Sequence, residues 1–226
     1  MGFLTLEEID SNLIDNRNRA LWNKLNANYQ ISVSDHHDGY TIDYLSGSDE
    51  VYIETTRNYS PAFFTHELLH LNLRYKGLNV FESFKRTNDF STEVFTCTIS
   101  NCIEHVLFFD EYIEMGYDKE DFVIDYNNHP FGISGLKQQF NQLYDTTDPT
   151  VTNLFNSFCY WILRSGKQIG EDRENDLEVL RNEFPLKYQE MEKMFSEVLN
   201  FTFDSENVQG DFNNLISRYI EQNSYY

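Results

Sequence analysis

Ser60-Pro61-Ala62-Phe63-Phe64-Thr65-His66-Glu67-Leu68-Leu69-His70-Leu71-Asn72-Leu73-Arg74-Tyr75-Lys76-Gly77 carries the marks of one helix with both ends defined. Ser60 is suited to cap the N-terminus, Pro61 fits the first helical position, and Gly77 is a natural stop. Residues four apart share a helix face, so His66 and His70 present their imidazoles side by side. That spacing lets two nitrogens reach one ion at about 2.0–2.1 Å. Glu67 leaves the helix beside them, placed to take a proton from a water activated at that ion.

His66, Glu67 and His70 form an HExxH pattern, and through them the chain resembles the zincin metallopeptidases over residues 30–116. The resemblance implies a Zn²⁺ site held by His66 and His70, with Glu67 as general base, and a peptide or protein substrate. It also implies a small sheet feeding into the HExxH helix, with an edge strand that holds an extended peptide by strand addition.

The 226 residues suffice for one large domain, or a domain with a helical appendage, and for a sizeable core. A hydrophobic content of 40% with only 10 Gly and 4 Pro describes a globular chain. The net charge of −20 argues against nucleic acid and against an anionic membrane surface as partners. No apolar run reaches the ~20 residues needed to span a bilayer. The opening Met1-Gly2-Phe3-Leu4-Thr5-Leu6-Glu7-Glu8 has no basic region followed by an apolar core. Cys97, Cys102 and Cys159 lack Cys-x-x-Cys spacing and read as reduced and buried. A cytoplasmic location is the resulting expectation.

Along the chain, residues 5–28 predict a covering helix, opened by a Thr5–Glu8 capping box and bearing Leu6, Ile9, Leu13, Leu21 and Leu25. Residues 29–57 switch to a period of two, with turn-rich breaks at Asp35–Gly39 and Ser46–Asp49, which predicts a short antiparallel meander. Residues 51–56 are either its edge strand or a core strand. His36, His37 and His129 read as solvated turn or loop residues, because neighbours in an extended segment point to opposite faces. Residues 78–92 read as irregular. A long helix follows over about 90–115, ended by Gly116, with Phe95, Ile99, Cys102, Ile103, Val106 and Ile113 on one face. Residues 117–145 predict two short helices around a loop, and Asp145–Pro149 a linker. Helices then span 150–165, 172–200 with a break at Pro185, and 206–222. The stripe Leu177, Leu180, Phe184, Tyr188, Met191, Met194 and Leu199 reads as core.

A catalytic zinc takes three protein ligands and leaves a fourth position open. The metzincin extension is absent, since Leu73 and Lys76 stand where Gly and His would be. In the glutamate-type zincins the third ligand is a Glu on a following helix, and that resemblance points to Glu104. The acidic residue usual four positions later is Phe108 here. On the residues alone, Glu104, His105 and Glu93 all stand as third donors. With Glu104 on the metal, His105 or Asn101 is placed to orient a ligand or stabilise an oxyanion.

The expected fold is therefore α+β and zincin-like: a small antiparallel sheet packed on the HExxH helix, with a mostly helical C-terminal region. The expected division is a catalytic domain over 1–146 and a helical region over 147–226. The expected activity is zinc-dependent peptide hydrolysis. A non-catalytic interaction module, or a toxin or defence effector protease acting on one protein, are the competing readings.

Overall fold

The sheet has three strands in the order β1-β3-β2: β1 (Gln30–Ser34), β2 (Thr41–Tyr44) and β3 (Glu50–Glu54). It is mixed, not an antiparallel meander, because β1 runs parallel to β3 while β2 runs antiparallel to it. β3 carries Val51 and Ile53, both buried, and a strand with a full apolar face is best placed with a neighbour on each side. Its register sets Ile31 beside Val51, and Val33 and Ile42 beside Ile53. Residues 51–54 are thus the central strand rather than an edge. The backbone of Phe3 and Leu4 adds to the far side of β1.

The computed structural model describes residues 2–35, 41–44, 48–84, 90–122, 132–143, 149–165 and 171–221. His36, His37, His129 and the 145–148 linker lie outside the described residues, as does the Glu93 side chain. The helices are α1 (Leu6–Asn12), α2 (Arg19–Asn26), α3 (Pro61–Tyr75), α4 (Val80–Phe84), α5 (Phe90–Glu114), α6 (Gly132–Leu143), α7 (Pro149–Arg164), α8 (Glu171–Glu183), α9 (Pro185–Leu199) and α10 (Val208–Glu221). None of them is long and apolar enough to cross a membrane, among the described residues.

The chain forms two compact units. The first is Met1–Lys76 with Asp110–Val123: α1, α2, the sheet, α3 and the last residues of α5. Thr5 caps α1 in a complete capping box with Glu8. The helix expected over 5–28 is broken after Asn12, because Asp15 and Asn18 take up local backbone groups: Asp15 N–H donates to Asn18 Oδ1, and the Arg17 and Asn18 N–H groups donate to Asp15 Oδ1. Leu6 is exposed, while Ile9, Leu13, Leu21 and Leu25 are buried. α3 starts at a Ser60 cap that accepts from Phe63 N–H, and ends before Gly77, whose φ of 86° is in the left-handed region. It has no solvent face in its middle: every residue from Phe64 to Leu73 is buried. Such a helix is the centre of its unit.

The second unit is Gly77–Phe109 with Ile124–Tyr226. The C-terminal helices share a core with residues within 78–84 and 95–106, including Ile99, Ile103, Tyr160, Trp161, Leu177, Met191, Met194, Val198 and Phe212. The methionine and aromatic stripe of α8 and α9 is core as expected, except that Val198 is buried and Leu199 exposed. Residues 80–84 form the short α4 where an irregular segment was expected. None of the cysteines is in a disulfide; Cys102 and Cys159 are buried, whereas Cys97 is exposed and not buried as expected.

Candidate metal centre

Burying five polar side chains in the middle of α3 carries a desolvation cost, so each needs something to satisfy it. Asn72 and Thr65 find partners on other elements of the first unit. Asn72 accepts from Lys24 Nζ at 2.6 Å and donates to Glu111 at 2.9 Å. Thr65 Oγ1 accepts from Asn18 Nδ2 at 2.9 Å, with the Tyr117 hydroxyl 3.0 Å away. His66, Glu67 and His70 are buried beside them, exposed by only 3%, 7% and 6%.

The helical repeat of four sets the two histidines together, with His66 Nε2 and His70 Nε2 3.2 Å apart. Their ring planes are inclined at 66°. Two nitrogens on one tetrahedral ion at about 2.0–2.1 Å would stand about 3.3 Å apart, so the pair already has the bite of a chelate. Glu67 follows His66 directly and is buried with it. Phe122 closes on the His66 ring, with centroids 4.9 Å apart.

A third imidazole joins them. The ligand atoms of His66, His70 and His105 all lie within 4.8 Å of one another, and all three residues are buried. α5 supplies His105 five residues before Asp110. The last turns of that same helix are tied to α3, where Glu111 accepts from Asn72 and from Lys76 Nζ at 2.7 Å. His105, Phe108 and Tyr112 follow the i, i+3, i+7 spacing of one helix face, and all are buried. Of the face read from the sequence as the apolar one, Phe95, Ile99, Cys102, Ile103 and Val106 are buried as well, whereas Ile113 is exposed. α5 is therefore covered on two sides. His105 sits on the second of these.

Glu104, the donor the glutamate-type resemblance favours, is not brought into this cluster. Adjacent residues of a helix are turned about 100° apart, so the rotation that buries His105 fully leaves Glu104 half-buried. Asn101 is half-buried. The residues that sequence reasoning missed are Tyr112, Tyr117 and Phe122. Their only sequence signal is an aromatic spacing of five that straddles the Gly116 helix stop.

Three imidazoles are a donor set that suits zinc, which takes His nitrogen and, in catalytic sites, three protein ligands. No protein-family model matches this chain, and no curated protein or solved structure does either.

Proposed function

We propose that the chain is a zinc-dependent peptidase of the HExxH type, zincin-like in its catalytic part. The observation that carries the reading is the buried trio of His66, His70 and His105, with Glu67 one residue from the first. In this reading the three imidazoles hold Zn²⁺, and His105 takes the place expected of Glu104. When bound, the zinc supplies Lewis acidity, lowering the pKa of a water and polarising the scissile carbonyl.

Glu67 then does the proton work. Its carboxylate accepts the proton lost by the attacking water and delivers it to the departing amine, so the peptide nitrogen leaves as a neutral amine. The burial of Glu67 keeps that carboxylate in a medium where its interactions are stronger than in water. With His105 among the donors, stabilising the oxyanion falls to another group. The substrate is a peptide or protein, and the net charge of −20 suits a basic one.

The test is hydrolysis of a mixed fluorogenic peptide pool by the full-length protein. Turnover abolished by 1,10-phenanthroline and restored by added zinc supports the proposal. Turnover unaffected by the chelator, or a zinc-loaded protein inert toward every peptide, contradicts it.

A further inference from the structure

Four contacts follow one another in series through the first unit. The Arg17 guanidinium carbon lies 3.9 Å from the Tyr117 ring centroid. Tyr117 stacks on Tyr112 at 5.0 Å with 28° between planes. Tyr112 meets Phe122 edge-to-face at 5.0 Å and 77°. Phe122 lies against His66 at 4.9 Å and 59°. Tyr117, Tyr112 and Phe122 are exposed by only 3%, 0% and 2%, and an interior packed at crystal density transmits a displacement from one ring to the next.

We propose that Phe122, Tyr112 and Tyr117 are positioning residues, a column of rings capped by Arg17 that fixes the His66 imidazole for the metal. The proposal rests on the zinc reading above. In metal sites, partners outside the ligand set orient the ligands, and losing one typically costs about 10–100-fold in metal affinity. Here the ring contact does that for His66 by restricting rotation of its imidazole.

The same tyrosine also holds the backbone beneath that histidine. The Tyr117 hydroxyl lies 3.0 Å from Oγ1 of Thr65, the residue before His66, and donates to Asp15 Oδ1 at 3.1 Å. Asn18 reaches the same Thr65 oxygen at 2.9 Å. Burial pushes the Tyr117 hydroxyl up to about 12, so it stays a donor at neutral pH. Gly116, at φ 90°, ends α5 and permits the reversal that returns Tyr117 onto Tyr112. Arg17 locks the outer end by pairing with Asp15 at 2.6 Å and donating to the Gly116 carbonyl at 3.2 Å. Ring orientation and helix placement at His66 thus have a common support.

The experiment uses the full-length protein and compares Phe122→Leu, Tyr112→Phe, Tyr117→Leu and Leu25→Ala. Zinc affinity is read by competition with a chromophoric chelator, the ligand field from the Co²⁺ absorption bands, and stability from thermal unfolding without metal. Phe122→Leu should bind zinc about 10–100-fold more weakly and shift the cobalt bands. Tyr112→Phe, which keeps the ring, should bind as wild type. Leu25→Ala removes core packing elsewhere in the unit, and should lower the melting temperature while leaving zinc affinity unchanged. Should Phe122→Leu fail to fold, Tyr117→Leu decides, with weaker zinc binding expected. Wild-type affinity in folded Phe122→Leu or, where that variant fails to fold, in Tyr117→Leu overturns the column and leaves the metal centre standing. A wild-type protein that binds neither zinc nor cobalt overturns both.

Discussion

His105 is buried to 2% exposure, while Glu104, the residue before it, is only half-buried on the next face of α5. That rotation decides the character of the proposed centre. Three imidazoles leave the dipositive charge of a bound zinc undiminished, whereas a carboxylate donor would remove one unit of it. The two residues should separate cleanly by mutation. His105→Ala should weaken zinc binding by at least tenfold, as loss of a direct ligand must exceed the smallest losses seen for outer partners. Glu104→Ala should stay within a few-fold of wild type. Competition with a chromophoric chelator measures both, and the reverse order would restore Glu104 as the donor.

Glu67 has a role that leaves the metal in place. Glu67→Gln keeps the size of the side chain and removes its basicity. The variant should retain zinc at the wild-type stoichiometry and lose about 10²–10⁴-fold in peptide turnover. Metal analysis alongside kinetics on the same sample checks the pair of outcomes. Full activity in Glu67→Gln would remove it as the base.

Acid should act on the first unit through Asp15. Burial alone would raise this carboxyl, but the bonds it accepts from the Arg17 side chain and from the backbone of Arg17 and Asn18 outweigh that and hold it below its usual range. A carboxyl depressed in the folded state contributes stability that is complete above its unfolded value, about 3.9, and lost as pH falls through its folded value. Asp15→Asn should therefore be less stable than wild type at neutral pH, and the gap should narrow on acidification below about pH 4. Urea unfolding at a series of pH values follows it. A gap that widens in acid would show that another carboxylate is responsible.

Tyr112 carries a hydroxyl that has no hydrogen-bond partner among the described residues, on a side chain with no exposure. Burial raises its pKa further, so it stays neutral. A buried hydroxyl left unmade costs about 1–3 kcal/mol. Tyr112→Phe removes that cost and keeps the stacking ring, so it should leave stability unchanged or raise it by about 1 kcal/mol. A destabilisation above about 1 kcal/mol in chemical denaturation would mean that the hydroxyl has a bonding role in the fold.

The parts of this fold written in local chemistry were legible in the sequence. α3 could be placed within a residue at each end, because Ser60, Pro61 and Gly77 act on the backbone beside them. The pairing of His66 with His70 follows from helical geometry alone. α5 was readable for the same reason, from its periodicity and the Gly116 stop.

What depends on distant partners was not legible. Alternation predicts strands but not their neighbours, so the parallel pairing of β1 with β3 could not be read from residues 29–57. The break between α1 and α2 turns on side-chain bonds of Asp15 and Asn18 to nearby backbone, which compete with a helix that the apolar spacing alone would extend. That His105 and not Glu104 joins the histidine cluster depends on α5 being covered on two sides, which no single-helix wheel reveals. The Arg17–Tyr117 contact joins residues a hundred positions apart.

The most direct measurement is zinc K-edge X-ray absorption on the purified, zinc-loaded protein, with His66→Ala as the comparison. The account predicts a first shell with three imidazole nitrogens at about 2.0–2.1 Å and one exchangeable light atom, and disruption of that shell in the variant. A shell built from carboxylate oxygens or sulfur, or one that His66→Ala leaves intact, would contradict it.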